Sequence, residues 1–148
     1  MKKTLFSLVA LLGMLTSAPA ALIPFDLVGT AGAGLLPGNE PGSVTGGTGG
    51  EIGTGIRFDD VNLTLEINVG WGSANGFVDL TGSATASHIH GPTANNFGNG
   101  FTQTAGVLFN LPRVNSTASA GSIATTVGPL TAGQVTDLFN GKWYINIH

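Results

Sequence analysis

The chain has 148 residues, a net charge of −3, no cysteine and only 9% charged residues. That excludes thiol chemistry, disulfides and Cys-type zinc or iron–sulfur sites, and it leaves no basic patch with which to hold nucleic acid. Twenty-four glycines among abundant small polar residues point to a turn-rich all-β protein rather than a helical one.

The first 20 residues read as a Sec-type signal peptide of bacterial style. Lys2-Lys3 is a basic start, Leu5 to Leu15 an apolar stretch broken by Ser7 and Gly13, and Ala18-Pro19-Ala20 a small-residue cleavage site. The expectation is export, to the periplasm or outside the cell, with cleavage after Ala20. Residues 21–148 would then form one domain with three basic residues (Arg57, Arg113, Lys142) against eight acidic, a net charge of −5. Nothing after residue 20 is long and apolar enough to cross a bilayer as a helix.

Ala21 to Val28 has the alternation of a first strand. Residues 30–50 are dominated by glycine, with Pro37 and Pro41, and read as a long loop. Gly50 to Val69 carries the strongest strand signal. Ile52, Ile56 and Phe58 precede a turn or bulge at Asp59-Asp60. Val61, Leu63, Leu65, Ile67 and Val69 then alternate with polar residues, so one face is buried and one wet. Gly70 to Gly76 reads as a turn carrying Trp71, and Phe77 to Leu80 as another extended run.

Ala84 to His90 is a further strand, ended by Gly91-Pro92. Gly106 to Leu111 is apolar on both faces, as a central strand would be, and Pro112 stops it. It is expected to form a hairpin with Ile123 to Val127. One short helix falls at about 130–139: Thr131 and Gln134 have capping-box spacing, Val135, Leu138 and Phe139 share a face, and Gly141 follows as a stop. Lys142 to His148 is the last strand. Trp143, Ile145 and Ile147 line one face; Tyr144, Asn146 and His148 line the other.

The chain's three histidines concentrate the chemistry. His88 and His90, at i and i+2 on a strand, point the same way, with Ile89 opposite. His148 joins them if the last strand lies beside theirs. Three neutral imidazoles would suit zinc or copper(II). The competing reading is structural, with ring N–H groups bonding backbone carbonyls near Gly91-Pro92.

These stretches resemble one family, the CHRD domain, named for chordin. The matching runs are Ala84-Thr85-Ala86-Ser87-His88-Ile89-His90-Gly91-Pro92, Gly106-Val107-Leu108-Phe109-Asn110-Leu111, and Leu130 through to Trp143-Tyr144-Ile145-Asn146-Ile147-His148. The resemblance implies an immunoglobulin-like or superoxide-dismutase-like antiparallel β-sandwich over most of residues 21–148, and it implies little chemistry. Family members continue past the last histidine with a Thr, a Pro-Gly-Gly loop and a closing strand. This chain is shortened by comparison, and the strand edge so exposed would invite self-association. The growth-factor partners of chordin are not carried over.

Other motifs are weaker. An H-x-H pair is a local likeness to copper–zinc dismutases, but the further histidines of such a site are absent. Glu51, Asp59 and Asp60 lack the regular spacing of a calcium loop. The eight acids give no glycosidase pair, and Ser87 beside His88 faces the wrong way for a triad. Trp71, Trp143 and Tyr144 could form a glycan platform, although packing is the commoner use. Two Asn-x-Thr sequons, at Asn62 and Asn115, carry no consequence in a bacterial host. The first functional expectation is therefore a non-enzymatic, exported structural or binding module that meets a protein or glycan. The alternative is a copper- or zinc-binding protein using His88, His90 and His148.

Overall fold

A computed structural model describes residues 21–28, 46–94, 103–114 and 119–148. Most of the Gly-rich segment at 30–50 and all of residues 1–20 lie outside the described residues. The rest folds into two antiparallel sheets. Strands β1 (Leu22–Phe25), β2 (Gly49–Asp59), β3 (Thr64–Trp71), β6 (Arg113–Val114) and β7 (Gly121–Val127) form one sheet in the order β1-β2-β3-β7-β6. Strands β4 (Ser87–His90), β5 (Val107–Asn110) and β8 (Tyr144–Ile147) form the other in the order β5-β4-β8. Among the described residues one α-helix, α1 (Ala132–Phe139), links β7 to β8. Among the described residues no helix is long and apolar enough to cross a membrane.

The core lies between the sheets. Leu65, Ile67, Val69 and Trp71 of β3 and Ile123 of β7 meet Ile89 of β4, with Phe109, Ile145 and Ile147 packed against them. Each comes from alternate positions of its strand, as a sheet with one buried face requires. This is the all-β sandwich the sequence led us to expect.

Five local expectations are corrected. Val61 and Leu63 belong to the turn between β2 and β3, not to the strand; Val61 is 62% exposed. Asp59 takes the backbone N–H of Val61 and of Asn62 at 2.9 and 2.8 Å, so its side chain closes the turn and breaks the alternation. Trp71 is the last residue of β3 and fully buried, not part of a turn. The run at Val107–Asn110 is an edge strand, and Val107 is 51% exposed. It does not form a hairpin with β7: the two lie in different sheets, and β7 pairs with the two-residue β6 instead. Phe77 to Leu80 is not a regular strand, although Val78 bonds the backbone of Thr48 at 2.9 Å.

The helix is as anticipated. Thr131 Oγ1 accepts from Gln134 N–H at 3.3 Å and Gln134 Oε1 accepts from Thr131 N–H at 2.9 Å, a complete capping box. Leu138 is buried. Phe139 lays its ring edge-on against Phe25 and Phe58, at centroid distances of 5.1 and 5.6 Å. So short a helix is marginal alone. Its docking against β1 and β2 fixes where β8 begins.

Candidate metal centre

The position of β8 brings the histidines together. β8 runs antiparallel to β4 with Ser87 opposite Ile147, His88 opposite Asn146, Ile89 opposite Ile145 and His90 opposite Tyr144. Residues directly opposite in such a pair share a face. Ile89, Ile145 and Ile147 therefore turn to the core, while His88, His90, Tyr144, Asn146 and His148 share the outer face. The ladder continues past the strand ends. His148 N–H donates to Ala86 C=O at 2.8 Å and Thr85 N–H donates to His148 C=O. These bonds seat the last histidine beside the first two.

The cluster is tight. One ligand-capable nitrogen from each of His88, His90 and His148 lies within 4.8 Å of the others. The closest approach is His88 Nδ1 to His148 Nε2, 3.1 Å. Ring centroids are 4.9 Å apart for His88–His148, 5.5 Å for His88–His90 and 5.9 Å for His90–His148. His90 is the most enclosed, only 5% exposed, and the other two are half-buried. Among the described residues this is the one place where three metal-capable side chains converge.

Two features hold His90. Its Nδ1 lies 2.8 Å from the carbonyl of Ala105. Tyr144 stacks on its ring at 5.0 Å and an 18° interplanar angle. The approach of Ala105 depends on an irregularity in β5: Ile89 pairs with Phe109 but His90 pairs with Val107, leaving Leu108 unopposed. That extra residue turns the chain before β5 back over His90. Simple alternation along the sequence places Tyr144 on this face. Ala105 had no sequence signal, because a bulge leaves none in so short a strand.

The remaining side chains singled out from sequence have other duties. Ser87 Oγ donates to Leu111 C=O at 2.7 Å on the core side, away from His88. Glu51 accepts from Ile56 N–H at 3.0 Å, Asp59 closes its turn, and Asp60 accepts from Ala21 N–H at 2.9 Å, so these acids do not share a cation site. Trp71 is buried in the core and Trp143 packs near Phe109 at 6.0 Å, so neither forms an exposed platform with Tyr144. Glu66 lies in a polar network on the outer face of the five-stranded sheet. Hydrogen bonds from Asn68, then from Arg57 and Thr54, hold its carboxyl below the ordinary range.

No curated protein and no solved structure matches the chain. A family model does, over residues 32–148, and its description is the CHRD domain. The match takes in both histidine-bearing strands, the edge strand and the helix that sets β8 in place, and on that extent the chain belongs to the CHRD domain family.

Proposed function

We propose that this CHRD domain is an exported, non-enzymatic binding module whose ligand is a copper or zinc ion held by His88, His90 and His148. The observation that carries the reading is the convergence of three imidazoles from two strands, with ligand nitrogens inside 4.8 Å. The donor set suits these ions, since nitrogen-only ligation favours copper(II) and zinc over calcium or magnesium. The spacing of His88 and His148 suits them too. Metal–imidazole bonds are about 2.05 Å. Two nitrogens 3.1 Å apart then subtend about 98° at the metal, and opening to a tetrahedral angle needs a further ~0.2 Å.

A second feature supports the reading. Asn146 sits opposite His88, and among the described residues its buried Nδ2 has no hydrogen-bond partner. Orphaned buried donors are uncommon and each asks for an explanation. An amide beside the imidazoles suits a water or anion that completes the metal's coordination.

Without a metal, the 3.1 Å contact between His88 Nδ1 and His148 Nε2 is a hydrogen bond in which one ring donates and the other accepts. To ligate, the donor ring would carry its hydrogen on its other nitrogen, and acid, which protonates both nitrogens of a ring, would oppose binding. In the competing reading the histidines are structural, and the His90–Ala105 bond serves only to hold the His90 ring. The two readings separate on metal content. Residues 21–148, purified after export, should carry close to one equivalent of copper or zinc, and a His88→Ala/His90→Ala double variant should carry none. A folded wild-type protein that takes up neither metal on reconstitution would sink the proposal and leave the histidines as structural.

A further inference from the structure

We propose that Tyr144 is a positioning residue for this centre: acting through Ala105, it selects the ring tautomer of His90 that presents Nε2. The purpose of that tautomer rests on the metal reading above; the tautomer itself does not.

A carbonyl oxygen carries no proton. The 2.8 Å contact between His90 Nδ1 and Ala105 C=O therefore requires the hydrogen to sit on Nδ1. A neutral imidazole protonated at Nδ1 keeps its lone pair on Nε2, the atom then free to ligate. His90 is thus committed to one tautomer as long as Ala105 stays where it is.

The placing of Ala105 therefore matters. It lies in a segment without regular structure before β5, next to Gly106, around which a Cβ would meet nothing within 4 Å. Two hydrogen bonds help to locate this stretch. Ala105 N–H donates to Tyr144 Oη at 3.1 Å, and Gly91 N–H donates to Gly106 C=O at 3.0 Å. The first makes a closed circuit: Tyr144 hydroxyl to Ala105 amide, Ala105 carbonyl to His90 Nδ1, and His90 ring stacked back on Tyr144 at 5.0 Å. The stack hinders a ring flip, while the hydroxyl places the acceptor. Tyr144 thereby controls both orientation and tautomer of a ring that it need not help to ligate. Outer partners of this kind typically change metal affinity 10–100-fold when removed.

The test reads the tautomer first, on metal-free protein, from long-range proton–nitrogen correlations of the imidazole rings. Wild type should show His90 as the Nδ1–H form. Tyr144→Phe keeps the stack and removes the hydroxyl. It should give a mixture of tautomers with the fold unchanged, and should weaken copper or zinc binding about tenfold or more. Tyr144 is also the chain's single tyrosine. Labelling with 3-fluorotyrosine therefore alters that position alone and weakens its oxygen as an acceptor. The Ala105 amide proton and the His90 ring nitrogens should then shift together.

An Nε2–H tautomer in wild type overturns the proposal. So does a Tyr144→Phe protein with unchanged tautomer and affinity. If that variant does not fold, fluorotyrosine protein in which the two signals fail to move together overturns it as well. Absence of metal binding in wild type refutes the function proposed above, while the tautomer readings still decide the role of Tyr144.

Discussion

Gly91 offers the sharpest test of how packing holds the histidine cluster. It follows His90 directly, and Trp143 precedes the first residue of β8. A Cβ built on Gly91 would lie 2.6 Å from Trp143 Cδ1, 3.1 Å from Leu108 Cδ1 and 3.1 Å from Lys142 O. Carbon atoms rest at about 3.5–4.0 Å, so Gly91→Ala requires the indole to retreat by about 1 Å. Retreat is resisted, because Thr93 bonds Lys142 C=O through both its N–H at 2.9 Å and its Oγ1 at 3.2 Å. Overpacking of this kind costs about 1–3 kcal/mol. The movement falls at the Tyr144 end of β8, so it should also loosen the stack on His90 and lower metal affinity by about tenfold. Urea denaturation with a metal titration reads both effects. Gly106→Ala is the matched control: it is close to the same site, but its Cβ would meet nothing within 4 Å. If Gly91→Ala matches Gly106→Ala in stability and affinity, the close approach of β4 to Trp143 does not set the geometry of the cluster.

Other perturbations test separate parts of the structure. Ile67→Ala empties a position with no exposure at the centre of the core and should cost about 2–5 kcal/mol in denaturant midpoint measurements. Thr131→Ala removes the capping box and should cost about 0.5–2 kcal/mol, with hydrogen exchange faster in α1 than in β3. Asp59, Glu66 and Asp79 are all held below the ordinary carboxylate range, chiefly by the backbone N–H of Asn62, the side chain of Asn68 and the backbone N–H of Ser73 respectively. Their unfolded forms bind protons first, so the stability they add is complete above the ordinary range and fades as pH falls through their folded values. Denaturant midpoints should drop on acidification below about pH 4, less steeply in Glu66→Gln; a midpoint flat to lower pH contradicts the assignment. Export with cleavage after Ala20 should yield an intact mass beginning at Ala21, whose nitrogen lies 2.9 Å from Asp60 Oδ1. Retention of residues 1–20 would refute the leader reading.

Alternation was the legible part of this fold. It put Leu65, Ile67 and Val69 in the core, and it put Tyr144, Asn146 and His148 on one face of the last strand, because period-2 burial writes itself directly into sequence. It misplaced Val61 and Leu63 because a side chain, Asp59, captured the backbone and ended the strand early. Apolarity on both faces of Val107–Asn110 suggested a central strand, yet a run of apolar residues does not say how many neighbours a strand has. The convergence of His148 with His88 required knowing that β8 pairs with β4. That pairing depends on contacts some sixty residues apart, which no local pattern encodes. The hold of Ala105 on His90 was further out of reach, since it follows from one unopposed residue in β5.

The contact between His88 and His148 spans 60 positions of chain. A covalent link across such a loop would remove about 4 kcal/mol of closure entropy from the unfolded ensemble. This protein has no cysteine with which to make one. An ion seated among the three imidazoles would tether β8 to β4, the middle strand of the second sheet. Chelation would undo that tether, and resupply would restore it. Durability of the fold would then track how much metal the surroundings offer, and scarcity would be felt first at the last strand.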